Sequence, residues 1–138
     1  HPSAILFFDL NGFKDINDNY GHDAGDQVLV EVSRRMQSVI RKEDILIRLG
    51  GDEFVIGFPI KDGGTDESEQ VINKLQQQLT TEIVLGDGLP VAIDASIGTA
   101  LYPRDGADLH SLMTHADSAM YQMKKQRKKP VRKLLLLP

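Results

Sequence analysis

Two short apolar runs, Ile45-Leu46-Ile47-Arg48-Leu49 and Phe54-Val55-Ile56-Gly57-Phe58, are separated only by Gly50-Gly51-Asp52-Glu53. Branched and aromatic residues favour strands, and glycines between two such runs mark a β-hairpin. Whatever else the chain forms must therefore accommodate an antiparallel pair with two adjacent carboxylates at its tip. Residues without a Cβ let phosphate oxygens approach backbone N–H groups closely. Asp52 and Glu53 repel each other unless a cation compensates them, and hard oxygen ligands suit Mg²⁺ held together with substrate phosphates. An ordinary polar hairpin uses the same turn residues, so the tip alone leaves both readings open.

Around this hairpin the apolar periodicity alternates between two kinds of element. Ala4-Ile5-Leu6-Phe7-Phe8 is a continuous run ending at Asp9, as expected of a strand buried on both faces. Val28, Leu29, Val32, Met36, Val39 and Ile40 recur at helical spacing, and so do Val71, Ile72, Leu75 and Leu79. The stretch from Val91 to Thr99 alternates as a strand that ends near Pro103. Leu109, Leu112, Met113, Ala116, Met120 and Met123 stripe a further helix, which Pro130 is expected to stop, leaving Val131 to Leu137 as a last strand. With no internal repeat or low-complexity linker, residues 1–138 read as one domain. The expected class is α/β (α+β): a mixed central sheet of about five strands flanked by helices.

Composition excludes several functions. A net charge of −4 argues against a general nucleic-acid binder. The absence of cysteine rules out a disulfide scaffold and a thiolate metal site. The apolar run Leu134 to Leu137 is far too short to span a bilayer, so no direct membrane contact is expected. The setting these features suit is cytoplasmic, including the cytoplasmic part of a membrane-anchored sensor protein.

If the first strand lies beside the hairpin, Asp9 converges with Asp52 and Glu53 on one edge of the sheet. Three carboxylates there can hold two divalent ions, an arrangement that activates an attacking oxygen and neutralises phosphates. Asp is equally at home immediately before a helix, as a cap. Gly12, Phe13 and Lys14 open a short helix whose backbone N–H groups form an anion site, and Lys14 adds positive charge. Asn17 offers a donor and an acceptor while Asp26 offers acceptors only, a pairing that fits the edge of guanine. A polar helix-turn-helix loop contains the same residue types.

Taken together, these residues resemble the GGDEF domain of diguanylate cyclases, bacterial enzymes that make the second messenger cyclic di-GMP. Four blocks in family order carry the resemblance: Phe8-Asp9-Leu10-Asn11-Gly12-Phe13-Lys14 with Asn17-Asp18; Gly21-His22-Asp23-Ala24-Gly25-Asp26; Arg48-Leu49-Gly50-Gly51-Asp52-Glu53-Phe54; and Ser96-Ile97-Gly98 followed by Ala116-Asp117-Ser118-Ala119-Met120-Tyr121. They span Ile5 to about Lys124. The resemblance implies a nucleotidyl-cyclase-like fold in which the hairpin carries the signature. It implies metal binding by Asp9, Asp52, Glu53 and the backbone carbonyl of Leu10, with Mg²⁺, or Mn²⁺ as a substitute, at two ions per active site. Asp52 and Glu53 then take the catalytic positions, Asn17 and Asp26 read guanine, and Gly12, Phe13, Lys14, Gly50 and Gly51 surround the phosphates. Lys124 matches a phosphate-contacting lysine. The implied reaction condenses two GTP into cyclic di-GMP and two pyrophosphates across a homodimer, each 3′-hydroxyl attacking the other α-phosphate.

The resemblance also gives meaning to Arg41-Lys42-Glu43-Asp44, whose Arg-x-x-Asp form stands at the family spacing of an inhibitory product site for cyclic di-GMP. Arginine suits stacking and phosphate pairing. A basic helix end followed by a turn acid has the same sequence. Two departures stand out. The family usually carries a helix and a Leu-Thr-Gly-Leu-Pro-Asn-Arg-like segment before the first strand, and the sequence begins after it. At Lys124-Lys125-Gln126-Arg127-Lys128-Lys129, Lys128 aligns with the usual arginine and Arg127 replaces a glycine, so either cation suits the phosphate contact. Sensor or phosphodiesterase domains are expected in the full-length protein. The alternative to an active cyclase is an inactive module that binds GTP or cyclic di-GMP and regulates a linked domain.

Overall fold

The computed structural model describes residues 2–61 and 65–136, the side chains of residues 65, 66 and 126–136 excepted. Strand β1 (Ser3–Asn11) leads into helices α1 (Phe13–Tyr20) and α2 (His22–Val39), then the hairpin β2 (Ile45–Gly50) and β3 (Glu53–Pro59). Helix α3 (Thr65–Thr80) returns to a small ribbon, β4 (Ile83–Val84) and β5 (Pro90–Val91), followed by β6 (Asp94–Tyr102) and α4 (Leu109–Leu136). The main sheet has the order β2-β3-β1-β6. Each neighbouring pair is antiparallel. With the helix pair α1–α2 as its first crossover, the chain follows a split βαβ plan.

The α+β class with flanking helices is as expected; the main sheet has four strands, and it is antiparallel throughout rather than mixed. Strand β2 runs parallel to β1, yet β3 folds back between them, so every hydrogen-bonded pair is antiparallel. The expected strand from Val91 breaks at Ala92-Ile93, and only its second part joins the main sheet. At the C-terminal end, α4 continues through Pro130 to Leu136 in place of a stop and a last strand. Of residues 131–136 only Val131 is β-branched; lysine, arginine and leucine favour a helix, and this outweighs the expected break.

Alternation along β1 divides the core. Ala4, Leu6, Phe8 and Leu10 face one side with their register partners Phe58, Ile56 and Phe54 on β3 and Leu101, Ile97 and Ala95 on β6. Against this face pack Ile16 of α1, Val28, Val32 and Met36 of α2, and Leu75 and Leu79 of α3. The opposite face carries Phe7, Val55 and Ala100, covered by Leu112, Ala116 and Met120 of α4. Gly98 makes that docking possible. A Cβ there would overlap the Ala116 carbonyl oxygen and the Met120 nitrogen, so only glycine admits the α4 backbone so close. Among the described residues no helix is long and apolar enough to cross a membrane.

Candidate active site

Asp9 is two residues beyond Phe7, so its side chain projects from the α4 face of the sheet at the end where the hairpin tip closes. Register places Glu53 opposite it on β3 and Ser96 opposite it on β6. The tip is fastened to β1 by the Leu10 N–H, which donates to the Asp52 carbonyl at 3.1 Å. Gly51 adopts φ +46, a left-handed conformation that glycine takes without steric cost, and this turns the chain so that Asp52 returns toward β1. Arg48 supports the tip by donating its Nε–H to the Gly51 carbonyl at 3.0 Å.

The expected convergence of Asp9 with Asp52 is present. Burial, together with the Asp9 carboxylate within hydrogen-bonding reach, pushes the Asp52 carboxyl up from 3.8 to about 6. Two ionised carboxylates are acceptors only, so they can be joined by a proton or bridged by a cation. One cation is supplied internally: the Lys124 ammonium ion-pairs with Asp9 Oδ2. The other oxygen, Asp9 Oδ1, is buried and has no hydrogen-bond partner. Buried polar atoms are rarely left so, and an orphaned carboxylate oxygen beside a second carboxylate fits a divalent ion.

Glu53 is placed next to Asp9 by register, but its side chain is exposed. Among the described residues no three acidic or histidine side chains lie close enough to hold one metal ion together. The Asp9–Asp52 pair is thus the nucleus of the site, with Glu53 exposed beside it. The Leu10 side chain is buried in the core, and its N–H is the group bonded to the hairpin tip.

Beyond β1, Gly12 takes φ +88 and starts α1 with no side-chain cap; the Ile16 N–H donates to its carbonyl at 3.1 Å. The N–H groups of Phe13 and Lys14 therefore lie in the first turn, where a helix offers them no internal acceptor. These are the N–H groups expected from the sequence to meet an anion, and Lys14 beside them is exposed. Close packing of α1 on α2 sets Asn17 against the residue before Asp26. The Asn17 amide lies directly against Gly25, where a Cβ would overlap its oxygen, and Asp26 is the next residue, with an exposed side chain.

Arg41 and Asp44 stand apart from this cluster, in the turn before β2 and about 20 Å of strand from the tip. They bond each other: the Arg41 N–H donates to Asp44 Oδ2 at 2.7 Å, and the Asp44 N–H to the Arg41 carbonyl at 3.0 Å. The Arg41 guanidinium pairs with Glu43 at 3.5 Å and Asp44 at 3.7 Å. The Lys128 and Arg127 side chains lie outside the described residues.

Two supporting contacts escape the sequence reading, which has Met123 only in an apolar helical stripe and Asn11 only in a motif block. Met123, one residue before Lys124, accepts the Ile97 N–H on its sulfur at 3.2 Å and so pins the middle of α4 to β6. Asn11 donates to the fully buried Ser96 at 2.9 Å beside Asp9. Neither follows from periodicity, because both depend on which elements meet.

Several known proteins are similar to this chain. The family described as "Diguanylate cyclase, GGDEF domain" matches residues 1–130. The chain is 43% identical over 123 residues to MucR of Pseudomonas aeruginosa, a bifunctional diguanylate cyclase and cyclic di-GMP phosphodiesterase, covering 89% of this chain and 18% of that protein. It is 39% identical to the cyclic di-GMP phosphodiesterase NbdA of the same organism, covering 88% of this chain and 15% of that one. The chain thus spans less than a fifth of the length of these relatives. Among solved structures, the GGDEF domain of P. aeruginosa TpbB (YfiN) superposes with a TM-score of 0.86 at 37% identity, over 91% of this chain and 77% of that one.

Proposed function

The chain belongs to the GGDEF domain family, and on that premise we propose that it is an active diguanylate cyclase domain that condenses two GTP into cyclic di-GMP with release of two pyrophosphates. The observation that carries this reading is the carboxylate pair Asp9 and Asp52, with Asp9 Oδ1 buried and unpartnered and Lys124 at its other oxygen. The residues suited to hold Mg²⁺ or Mn²⁺ are Asp9 and Asp52, with Glu53 and the Leu10 carbonyl as further oxygen donors. Two ions bound there would supply charge neutralisation at the phosphates and a lowered pKa for the attacking hydroxyl.

The remaining roles belong to side chains and backbone of this chain. First-turn N–H groups of α1 and the Lys14 ammonium hold phosphate oxygens. Asn17 and Asp26 bind the guanine edge, which makes GTP the substrate. The Asp52 carboxylate takes the proton of the 3′-hydroxyl as general base. Lys124 stabilises charge on the phosphates. One domain holds one GTP, so the two reacting groups meet only across a two-fold homodimer, and positioning supplies much of the rate. Cyclic di-GMP binding at Arg41 and Asp44, with feedback inhibition, belongs to the same reading, as do a cytoplasmic location and linked sensor or phosphodiesterase domains.

The test is incubation of the full-length protein with GTP and Mg²⁺ and identification of the product. Cyclic di-GMP that disappears in Asp52→Ala is the expected result. No cyclic di-GMP at any enzyme concentration, with GTP or cyclic di-GMP still bound, would establish the regulatory module instead.

A further inference from the structure

We infer that Lys124 is an exchangeable internal counter-ion, competing with the divalent cation for Asp9 and released to the nucleotide phosphates when that cation binds. The inference rests on the metal-dependent reading above and adds a role for Lys124 that precedes its contact with substrate. Three observations carry it. The ammonium is on Asp9 Oδ2, an oxygen of the same carboxylate whose Oδ1 is the orphaned donor of the metal site. An ammonium so close both withdraws carboxylate charge and repels a second cation at short range.

The base of the side chain is fixed and its head is free to move. Upstream, α4 is seated on Gly98 through Ala116 and Met120, and Met123 is held by the Ile97 N–H. The Lys124 side chain beyond them is 38% exposed, while the Asp9 side chain is 13% exposed. A flexible four-carbon stem on a pinned helix lets the ammonium leave Asp9 without moving α4. On this inference, a cation binding by itself repels Lys124 from Asp9 into water. Binding of the cation with a triphosphate gives Lys124 a new anionic partner. The same residue therefore disfavours the bare metal and favours the metal nucleotide, which couples the two binding events.

The experiment measures Mn²⁺ binding alone, without nucleotide, by electron paramagnetic resonance on the full chain and on its Lys124→Met and Asp9→Asn variants. Lys124→Met is expected to bind Mn²⁺ about tenfold more tightly than the parent chain, and Asp9→Asn to lose the site. Thermal unfolding gives a second readout: Mn²⁺ should raise Tm more in Lys124→Met than in the parent chain. Lys124→Gln serves if the methionine variant is poorly folded. Unchanged or weaker Mn²⁺ binding in both lysine variants overturns the inference while leaving the metal reading intact. Mn²⁺ binding unaffected by Asp9→Asn overturns both.

Discussion

The Leu10 N–H donates to the Asp52 carbonyl at 3.1 Å, so the end of β1 and the tip of the hairpin are fastened together one residue beyond Asp9. That bond holds two carboxyl groups at close quarters whatever their charge, and burial together with the nearby Asp9 carboxylate raises the Asp52 carboxyl from 3.8 to about 6. Between those two values the folded chain binds more protons than the unfolded one. Without divalent metal, stability is therefore expected to fall as pH rises from about 4 to about 6 and to stay at the lower level above that. After allowance for solvent screening the effect is about 1 kcal/mol. Urea unfolding at a series of pH values checks it: Asp52→Asn should flatten this part of the profile and be the more stable chain near pH 7, while producing no cyclic di-GMP.

Gly25 leaves the space that the Asn17 amide fills beside Asp26. Gly25→Ala should push that amide aside and weaken GTP binding about tenfold, the scale of one lost hydrogen bond to the base. Asn17→Ala should cost a similar amount. Because both variants remove the same contact, the double variant should be little worse than either single one, which a calorimetric double-mutant cycle with GTP will show. Additive losses would mean that Gly25 acts elsewhere.

How far the sequence could be read depended on whether a feature was local. The hairpin was legible because Gly50 and Gly51 sit between two strand-forming runs, and the placement of Asp9 followed once β1 was set beside it. The conflict at Pro130 was legible too, but its outcome was not: one proline argued for a break while lysine, arginine and leucine around it favoured a helix, and the helix prevailed. Sheet direction was hidden for a different reason. Periodicity records that a strand exists, not which strand folds back between β1 and β2. Within the site, Lys124 could be matched to phosphate from its position, but its pairing with Asp9 depends on where α4 docks.

Arg35 is a case in which a polar residue on an apolar face holds tertiary structure together. Its guanidinium donates to the carbonyls of Gln78 at 2.8 Å, Thr81 at 2.6 Å and Glu82 at 3.0 Å, and to the Glu31 carboxylate at 2.7 Å. It thereby satisfies one carbonyl in the last turn of α3 and two just beyond it. Arg35→Met should destabilise the chain by about 3 kcal/mol, since it leaves buried acceptors unpaired. Amide exchange should quicken first in the last turn of α3, with the Asp9–Asp52 site retained. A uniform increase across all elements would mean that Arg35 does not act as a local clamp.

Glu31 gives the same clamp a pH dependence of opposite sign to that of Asp52. Hydrogen bonds from Arg34 and Arg35 hold its carboxyl down at about 2, from 4.5. A carboxylate depressed in the folded state contributes stability that is full above its unfolded value and is lost as pH falls through its folded one. The loss is therefore expected between about 4.5 and about 2. Over the same acid range Asp52 still takes up its proton more readily in the folded chain only down to 3.8, so below that value the Glu31 contribution dominates of the two. Glu31→Gln should remove this acid-side loss and lower stability near pH 7 by less than Arg35→Met does, because the three carbonyl bonds of Arg35 remain. Acid unfolding followed by circular dichroism distinguishes the two: an unchanged profile in Glu31→Gln would show that its pairs with Arg34 and Arg35 are too well solvated to matter.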